Sequence, residues 1–253
     1  MVGRAPVVTR DVAPGVHMVT HGFTNCFVVE DDEGVTLVDA CFPSTWPAVR
    51  ACLQAGGRSV SDVRGLVLTH GHFDHVGFAY FLQRQHGVPV WAHRGDLPIL
   101  AHPYRYDPER PRLLHPLTHR ASWPVLGAMV AAGALRVPGV AADHVVDGRM
   151  VLELPGRPEL IPTPGHTDGE CVLHLPGRGA LITGDALVTL DPYTGHRGPR
   201  VVARAATHDS RLALDSLRGL RDLDASTVLP GHGEIWRDGV GAAVDAALVA
   251  GAA

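Results

Sequence analysis

Thr69-His70-Gly71-His72-Phe73-Asp74-His75 sets four side chains able to bind a metal within six residues, directly after the apolar run Gly65-Leu66-Val67-Leu68. The apolar run predicts a short buried strand. At a strand's end the chain can turn, so His70, His72, Asp74 and His75 can converge on one point, and Gly71 allows a tight backbone path. A histidine-rich tract of this kind points to metal rather than to a solvated loop.

Three further segments point the same way. Thr163-Pro164-Gly165-His166-Thr167 presents a histidine through a Pro-Gly turn, and Leu229-Pro230-Gly231-His232-Gly233 does so again after an apolar strand. Ile182-Thr183-Gly184-Asp185 puts an aspartate just past another. Each lies at a strand terminus, where rigid scaffold meets loop. Taken singly, each reads as an ordinary loop residue. Together with the first stretch they give five His and two Asp. That set suits two first-row divalent ions with a bridging carboxylate. Imidazole with carboxylate favours zinc, with iron or manganese as alternatives.

Composition narrows the chemistry. The 253 residues include 22 basic ones, every one arginine, against 26 acidic ones. Without lysine there is no Schiff base with pyridoxal phosphate or a carbonyl substrate, and no P-loop lysine. With 45% hydrophobic and 19% charged residues a packed core is expected. The net charge of −4 argues against a nucleic-acid surface. No apolar run approaches a membrane span, no basic-then-apolar leader is seen, and Cys26, Cys41, Cys52 and Cys171 show no C-x-x-C spacing. A cytoplasmic protein with reduced thiols is the expectation.

Strands are expected at Val16–Val19, Cys26–Glu30, Thr36–Asp39, Gly65–Leu68 and Pro89–Trp91, and later near Val145, then at Met150–Leu154, Glu159–Ile161, Cys171–Leu175, Ala180–Thr183 and Thr227–Leu229. Hairpin turns are expected at Asp147-Gly148 and Gly177-Arg178-Gly179. Helices are expected from Ser44 to Gln54, Val76 to His86, Ser122 (as N-cap) to Leu135, Asp209 to Leu220, and onward from Val240. Residues 94 to 120 read as a functional loop. With no repeat and no linker, one α/β domain over residues 1–253 is the simplest account.

The H-x-H-x-D-H element at His70–His75, with His166, Asp185 and His232 following in order, resembles the metallo-β-lactamase-fold hydrolases. Asp39, ending Leu37-Val38-Asp39, matches that family's early aspartate. The resemblance covers roughly residues 16 to 240. It implies a four-layer αββα sandwich with metals at one edge between the sheets. It also implies one metal held by His70, His72 and His166, a second by Asp74, His75 and His232, and Asp185 between them. Two metals about 3.5–4 Å apart can share a hydroxide that attacks a carbonyl polarised by one of them. Asp74 would pass a proton from nucleophile to leaving atom. Asp39 reads as orienting a ligand or loop, or as purely structural. Asn25 reads as a backbone anchor.

Departures from the family's branches direct the reading further. True metallo-β-lactamases lack the bridging aspartate that Asp185 matches. Leu173 stands near the tyrosine of glyoxalase-II-type thioesterases, and with about twenty residues after His232, none of them Lys, a basic C-terminal extension that grips glutathione is not expected. Val188 stands near the tyrosine of quorum-quenching lactonases, with Tyr193 further along. His72 excludes the flavodiiron pattern. The variable loops His102–His119 and Asp191–Arg197 would wall the pocket, with Arg105, Arg110, Arg112, Arg197 and Arg200 as anion contacts or solvated surface. His93, His196 and His208 are further pocket candidates. Trp123 and the following helix could form a lid or dimer contact.

The leading expectation is a binuclear zinc hydrolase of a small ester, thioester or lactone, with no nucleic-acid or membrane partner and its oligomeric state open. The alternatives are an iron oxygenase resembling persulfide dioxygenases, a phosphodiesterase, and a non-catalytic member of the fold.

Overall fold

The computed structural model describes residues 5–111 and 118–253. A seven-stranded sheet takes its strands in chain order: Val7–Ala13 (β1), Val16–His21 (β2), Thr24–Asp31 (β3), Gly34–Val38 (β4), Val63–Val67 (β5), Val90–His93 (β6) and His144–Val146 (β7). β1 to β4 form an antiparallel meander, and β4 to β7 run parallel. Connection length accounts for the change. The two-residue turns Pro14-Gly15, Gly22-Phe23 and Asp32-Glu33 suffice for hairpins. Each parallel step needs a crossover. Helices Trp46–Ala55 (α1) and Ala79–His86 (α2) make the first two, and Leu97–Ala101 (α3) and Trp123–Ala131 (α4) lie in the third.

A five-stranded sheet follows, built from Met150–Val151 (β8), Glu159–Pro162 (β9), Cys171–Leu175 (β10), Ala180–Gly184 (β11) and, parallel to β11, Thr227–Pro230 (β14). Val188–Leu190 (β12) and Arg197–Arg200 (β13) form a separate ribbon. Helices Ser210–Arg218 (α5) and Val240–Ala250 (α6) complete the described elements.

Period-two alternation sorts the strand residues into three cores. On β3, Cys26 and Val28 face a core shared with α1, α2 and α4, while Phe27 and Val29 face the space between the sheets. On β11, Ala180 and Ile182 face that same space, and Leu181 faces Leu217 of α5 and Val244 of α6. The layers are therefore helix, sheet, sheet, helix. This is the αββα sandwich that the resemblance implies.

Most expected strands and helices form within a few residues of the expected bounds. Three differences have physical reasons. The Asp147-Gly148 turn is not a hairpin, because β7 closes the first sheet and β8 opens the second. β1 was not anticipated, since five of its seven residues are exposed at a sheet edge and leave no apolar pattern. Ser122 does not cap α4; its hydroxyl donates to the His119 carbonyl (2.7 Å). Asp209, by contrast, caps α5 by accepting from the Leu212 N–H (2.9 Å). Among the described residues no helix is long and apolar enough to cross a membrane.

The middle layer sets how the two sheets register. Leu173 of β10 is fully buried there, whereas Leu135 is 73% exposed. Leu173→Ala is expected to cost about 2–5 kcal/mol in urea unfolding, against no more than about 0.5 kcal/mol for Leu135→Ala.

Candidate metal centre

The chain leaves β4, β5, β9, β11 and β14 towards one edge of the sandwich. The segments that follow carry Asp39, His70–His75, His166, Asp185 and His232. All of the motif histidines and aspartates are buried. Their ligand atoms form three overlapping groups, each within 4.8 Å: His70 with His72 and His166, His70 with His75 and Asp185, and Asp74 with His75 and His232. Asp185 lies between them. One of its oxygens is 3.4 Å from His75 Nε2, and the other is 3.5 Å from His166 Nε2 and 3.3 Å from His232 Nε2. The structure thus brings together all seven residues that the motifs singled out.

Three of the rings are oriented from behind. His75 Nδ1 donates to Asp39 Oδ2 (2.8 Å), and Asp39 also accepts from the Thr69 N–H and hydroxyl (both 2.8 Å). His232 Nδ1 donates to the Phe23 carbonyl (2.9 Å). His166 Nδ1 faces the Thr207 hydroxyl (3.2 Å), whose proton goes to the Val202 carbonyl (2.9 Å). With Nδ1 used in this way, Nε2 of each of these rings is the nitrogen directed into the cluster. His72 turns the other nitrogen inward, its Nδ1 lying 3.0 Å from His166 Nε2. Asn25 is the expected anchor: its amide donates to the Pro230 and Gly233 carbonyls (2.9 and 3.0 Å) and so clamps the His232 loop.

The donor set fits divalent metal. Among the described residues, Nε2 of His70, His75 and His232, and Oδ1 of Asp185, are buried without a hydrogen-bond partner. Buried polar atoms are ordinarily paired, so a cluster of such atoms converging on one region is accounted for by cation ligation. Gly231 keeps that region open, because a Cβ there would meet Asp185 Oδ1, with the Gly184 carbonyl at 2.7 Å and His75 Cε1 at 2.8 Å.

The electrostatics divide the rings in two. Burial, reinforced by neighbouring histidines, holds His70 and His72 well below the usual histidine range, and burial brings His166 down to about 4. Burial would also lower His75 and His232. The Asp185 carboxylate outweighs it, helped by Asp39 at His75 and Asp74 at His232, so that His75 rises well above the usual range and His232 to about 10. Asp185 and Asp74 are held low in return, by His232 and His75 acting against burial.

Several site residues were not foreseen. Asp96 is buried and accepts from the Gly71 N–H (2.7 Å), the Thr167 hydroxyl (2.9 Å) and the Gly169 N–H (2.7 Å), tying the His70–His75 loop to the His166 loop. Burial pushes its carboxyl up to about 6. Glu170 sits behind His70 and Asp185, and burial together with the Asp185 charge pushes it well above the usual range. Tyr106 packs its ring 3.9 Å from that of His72, and its hydroxyl is 3.4 Å from that of Tyr193.

A cavity of about 190 Å³ opens beside His72 and His166, walled by Arg105, Tyr106 and His208 among others. His93 instead accepts from the Gly95 N–H, and His196 is exposed. Arg197 faces Glu234 at 3.5 Å, and Arg200 donates to the Gly198 and Arg197 carbonyls. Arg110 does not line the cavity, and Arg112 lies outside the described residues. Leu173 and Val188 are both buried in apolar clusters, so neither side chain can meet a substrate.

The chain belongs to the metallo-beta-lactamase superfamily, whose family model matches residues 19–232. It is similar to the probable metallo-hydrolase YflN of Bacillus subtilis (strain 168), 26% identical over 237 residues, which span 88% of this chain and 85% of YflN. Among solved structures it resembles the metallo-beta-lactamase family protein TTHA1429 from Thermus thermophilus, at 24% identity and a TM-score of 0.63 over 92% of this chain and 77% of that one. TTHA1623, solved in a di-iron-bound form, matches at 25% identity and a TM-score of 0.61 over 87% of this chain and 92% of that one.

The proton inventory sets a pH dependence. In the metal-free chain the His232 cation stabilises the fold below its ordinary value of 6.5, a contribution lost as pH rises through about 10. A metal at His75 and His232 must displace protons, whereas His166 is already neutral at pH values above about 4. Calorimetric zinc titration is expected to give a first ion with little proton release. The second should release protons and bind more tightly at pH 8 than at pH 6.

Proposed function

We propose that this chain is a binuclear, zinc-dependent hydrolase of a small ester, thioester or lactone. It would work as a single-domain cytoplasmic enzyme on a small-molecule substrate, without a nucleic-acid or membrane partner. The observation that carries this reading is the position of Asp185 between two groups of ligand atoms, with a cavity of about 190 Å³ opening beside His72 and His166. In this reading His70, His72 and His166 hold one ion, Asp74, His75 and His232 hold the other, and Asp185 bridges. Ions bound there would supply an acidified water and an electrophile for the substrate carbonyl.

The chain's own groups do the rest. Asp74, 6% exposed and 3.3 Å from His232 Nε2, is the catalytic carboxylate, taking a proton from the nucleophile and returning it to the leaving atom. Tyr106 shields the His72 side of the centre from water and walls the substrate cavity. Asp74→Asn is expected to lower hydrolysis by at least ~10²-fold while one metal is retained. Near-full activity in that variant, with His70→Ala inactive, would remove Asp74 from the mechanism.

The substrate class is best tested on aryl esters, thioesters, lactones, β-lactams and phosphodiesters with added zinc. Acyl hydrolysis is expected, and turnover of the phosphodiester alone would refute the acyl assignment. The di-iron form of TTHA1623 favours a second occupancy, with iron in place of zinc. Elemental analysis decides between them, and a single iron per chain with oxygen uptake on a persulfide would replace the hydrolase by an oxygenase.

A further inference from the structure

Glu170 is fully buried just before β10, at the junction of both sheets' site loops. Its Oε1 accepts from the Asp185 N–H (3.1 Å). Its Oε2 lies 3.3 Å from His70 Nδ1, an ion-pair approach, and has no hydrogen-bond partner among the described residues. A buried carboxyl left in this state is costly. Its space is nevertheless kept clear: Gly184, with φ of 49°, has no Cβ, and one placed there would lie 2.6 Å from both Glu170 Oε1 and Thr69 Oγ1. The Thr69 hydroxyl donates to Asp39, so towards His70 Nδ1 (3.1 Å) it can only accept. His70 Nδ1 is therefore faced by two acceptors, and its Nε2 is the unpaired atom turned into the cluster.

We propose that Glu170 is a positioning residue for the metal centre: one carboxyl group fixes the His70 ring with Nε2 inward and, through the backbone N–H, fixes the loop that carries Asp185. The proposal rests on reading His70 and Asp185 as ligands. The arrangement matches that of Asp39 behind His75, where the carboxylate likewise joins a ring nitrogen to a backbone N–H. Carboxylates behind metal-binding imidazoles set ring orientation and tautomer. Glu170 differs in reaching two ligands of one centre, so its loss would disturb both.

Glu170→Gln separates this role from simple packing. The amide has the same shape but only one acceptor, so either orientation sets an N–H against the Asp185 N–H or against the His70 Nδ1 proton. Glu170→Met, similar in size and without polar atoms, is the second variant. The full chain, freed of metal, would be titrated with zinc against a chromophoric chelator, and the melting temperature of each metal-free protein recorded. Both variants are expected to lose roughly 10–100-fold in zinc affinity, with Glu170→Met melting at or above the wild-type temperature when metal-free. A folded variant that binds zinc within about twofold of wild type would overturn the proposal. So would failure of both variants to fold, which would make the role structural. If wild type binds zinc and the variants match it, the metal-centre reading stands and only the role of Glu170 falls. If wild type binds no zinc, both fall.

Discussion

Asp185 holds three imidazoles from three separate loops, with His75, His166 and His232 nitrogens all between 3.3 and 3.5 Å from its oxygens. Each of these groups has been taken out of water. A charge so placed is costly unless an opposite charge or a metal offsets it. Five histidines and two aspartates share one buried volume, so the fold can keep them only as a matched set. The rest of the architecture supplies the means. Two sheets are packed face to face, and the segments leaving five of their strands lead to one edge. Most helices pack on the outer faces, while α3 lies beside the site, its Pro98 and Ile99 lining the cavity next to His72 and His166.

The backbone around the site is unusual where the ligands are set. Asp39 and Cys41 take φ of 59° and 36°, conformations that cost on the order of 1–3 kcal/mol each in non-glycine residues. They persist because the exit from β4 is bonded on both sides: Asp39 N–H to the Val67 carbonyl (2.9 Å), Ala40 N–H to the His75 carbonyl (2.6 Å), and Gly77 N–H to the Cys41 carbonyl (2.9 Å). These bonds tie the end of β4 to the His70–His75 loop and its exit. Asp96 clamps the same loop from the opposite side, joining it to the His166 loop. The centre is gripped between a strained turn and a buried carboxyl, so its rings are positioned by the protein itself.

What could be read from the chain follows from how local each signal is. The seven motif residues sit in short strand–turn segments, and such segments carry their own pattern: an apolar run, a glycine or Pro-Gly pair, then the ligand. The supporting residues have no such mark. Asp96 and Glu170 work through partners in other loops, reached only when the sheets pack, and nothing beside them in sequence announces it. Strands with alternating or continuous apolar character were legible, whereas the exposed β1 and the short ribbon of β12 and β13, with Gly198 and Pro199 inside it, were not. Asp147-Gly148 shows a further limit. A turn signal says that the chain changes direction, and only tertiary packing decides whether it returns to the same sheet or crosses to the other. Leu173 shows the reverse case, where a position compared with a tyrosine of the thioesterase branch proves to lie in the inter-sheet core.

In the proposed enzyme one buried carboxylate joins two metal positions. Anomalous diffraction from crystals of the zinc-loaded protein, collected on both sides of the zinc absorption edge, tests it most directly. Two peaks per chain are predicted, about 3.5–4 Å apart, with Asp185 between them, His70, His72 and His166 around one, and Asp74, His75 and His232 around the other. A single peak with Asp185 turned away from it would contradict that arrangement.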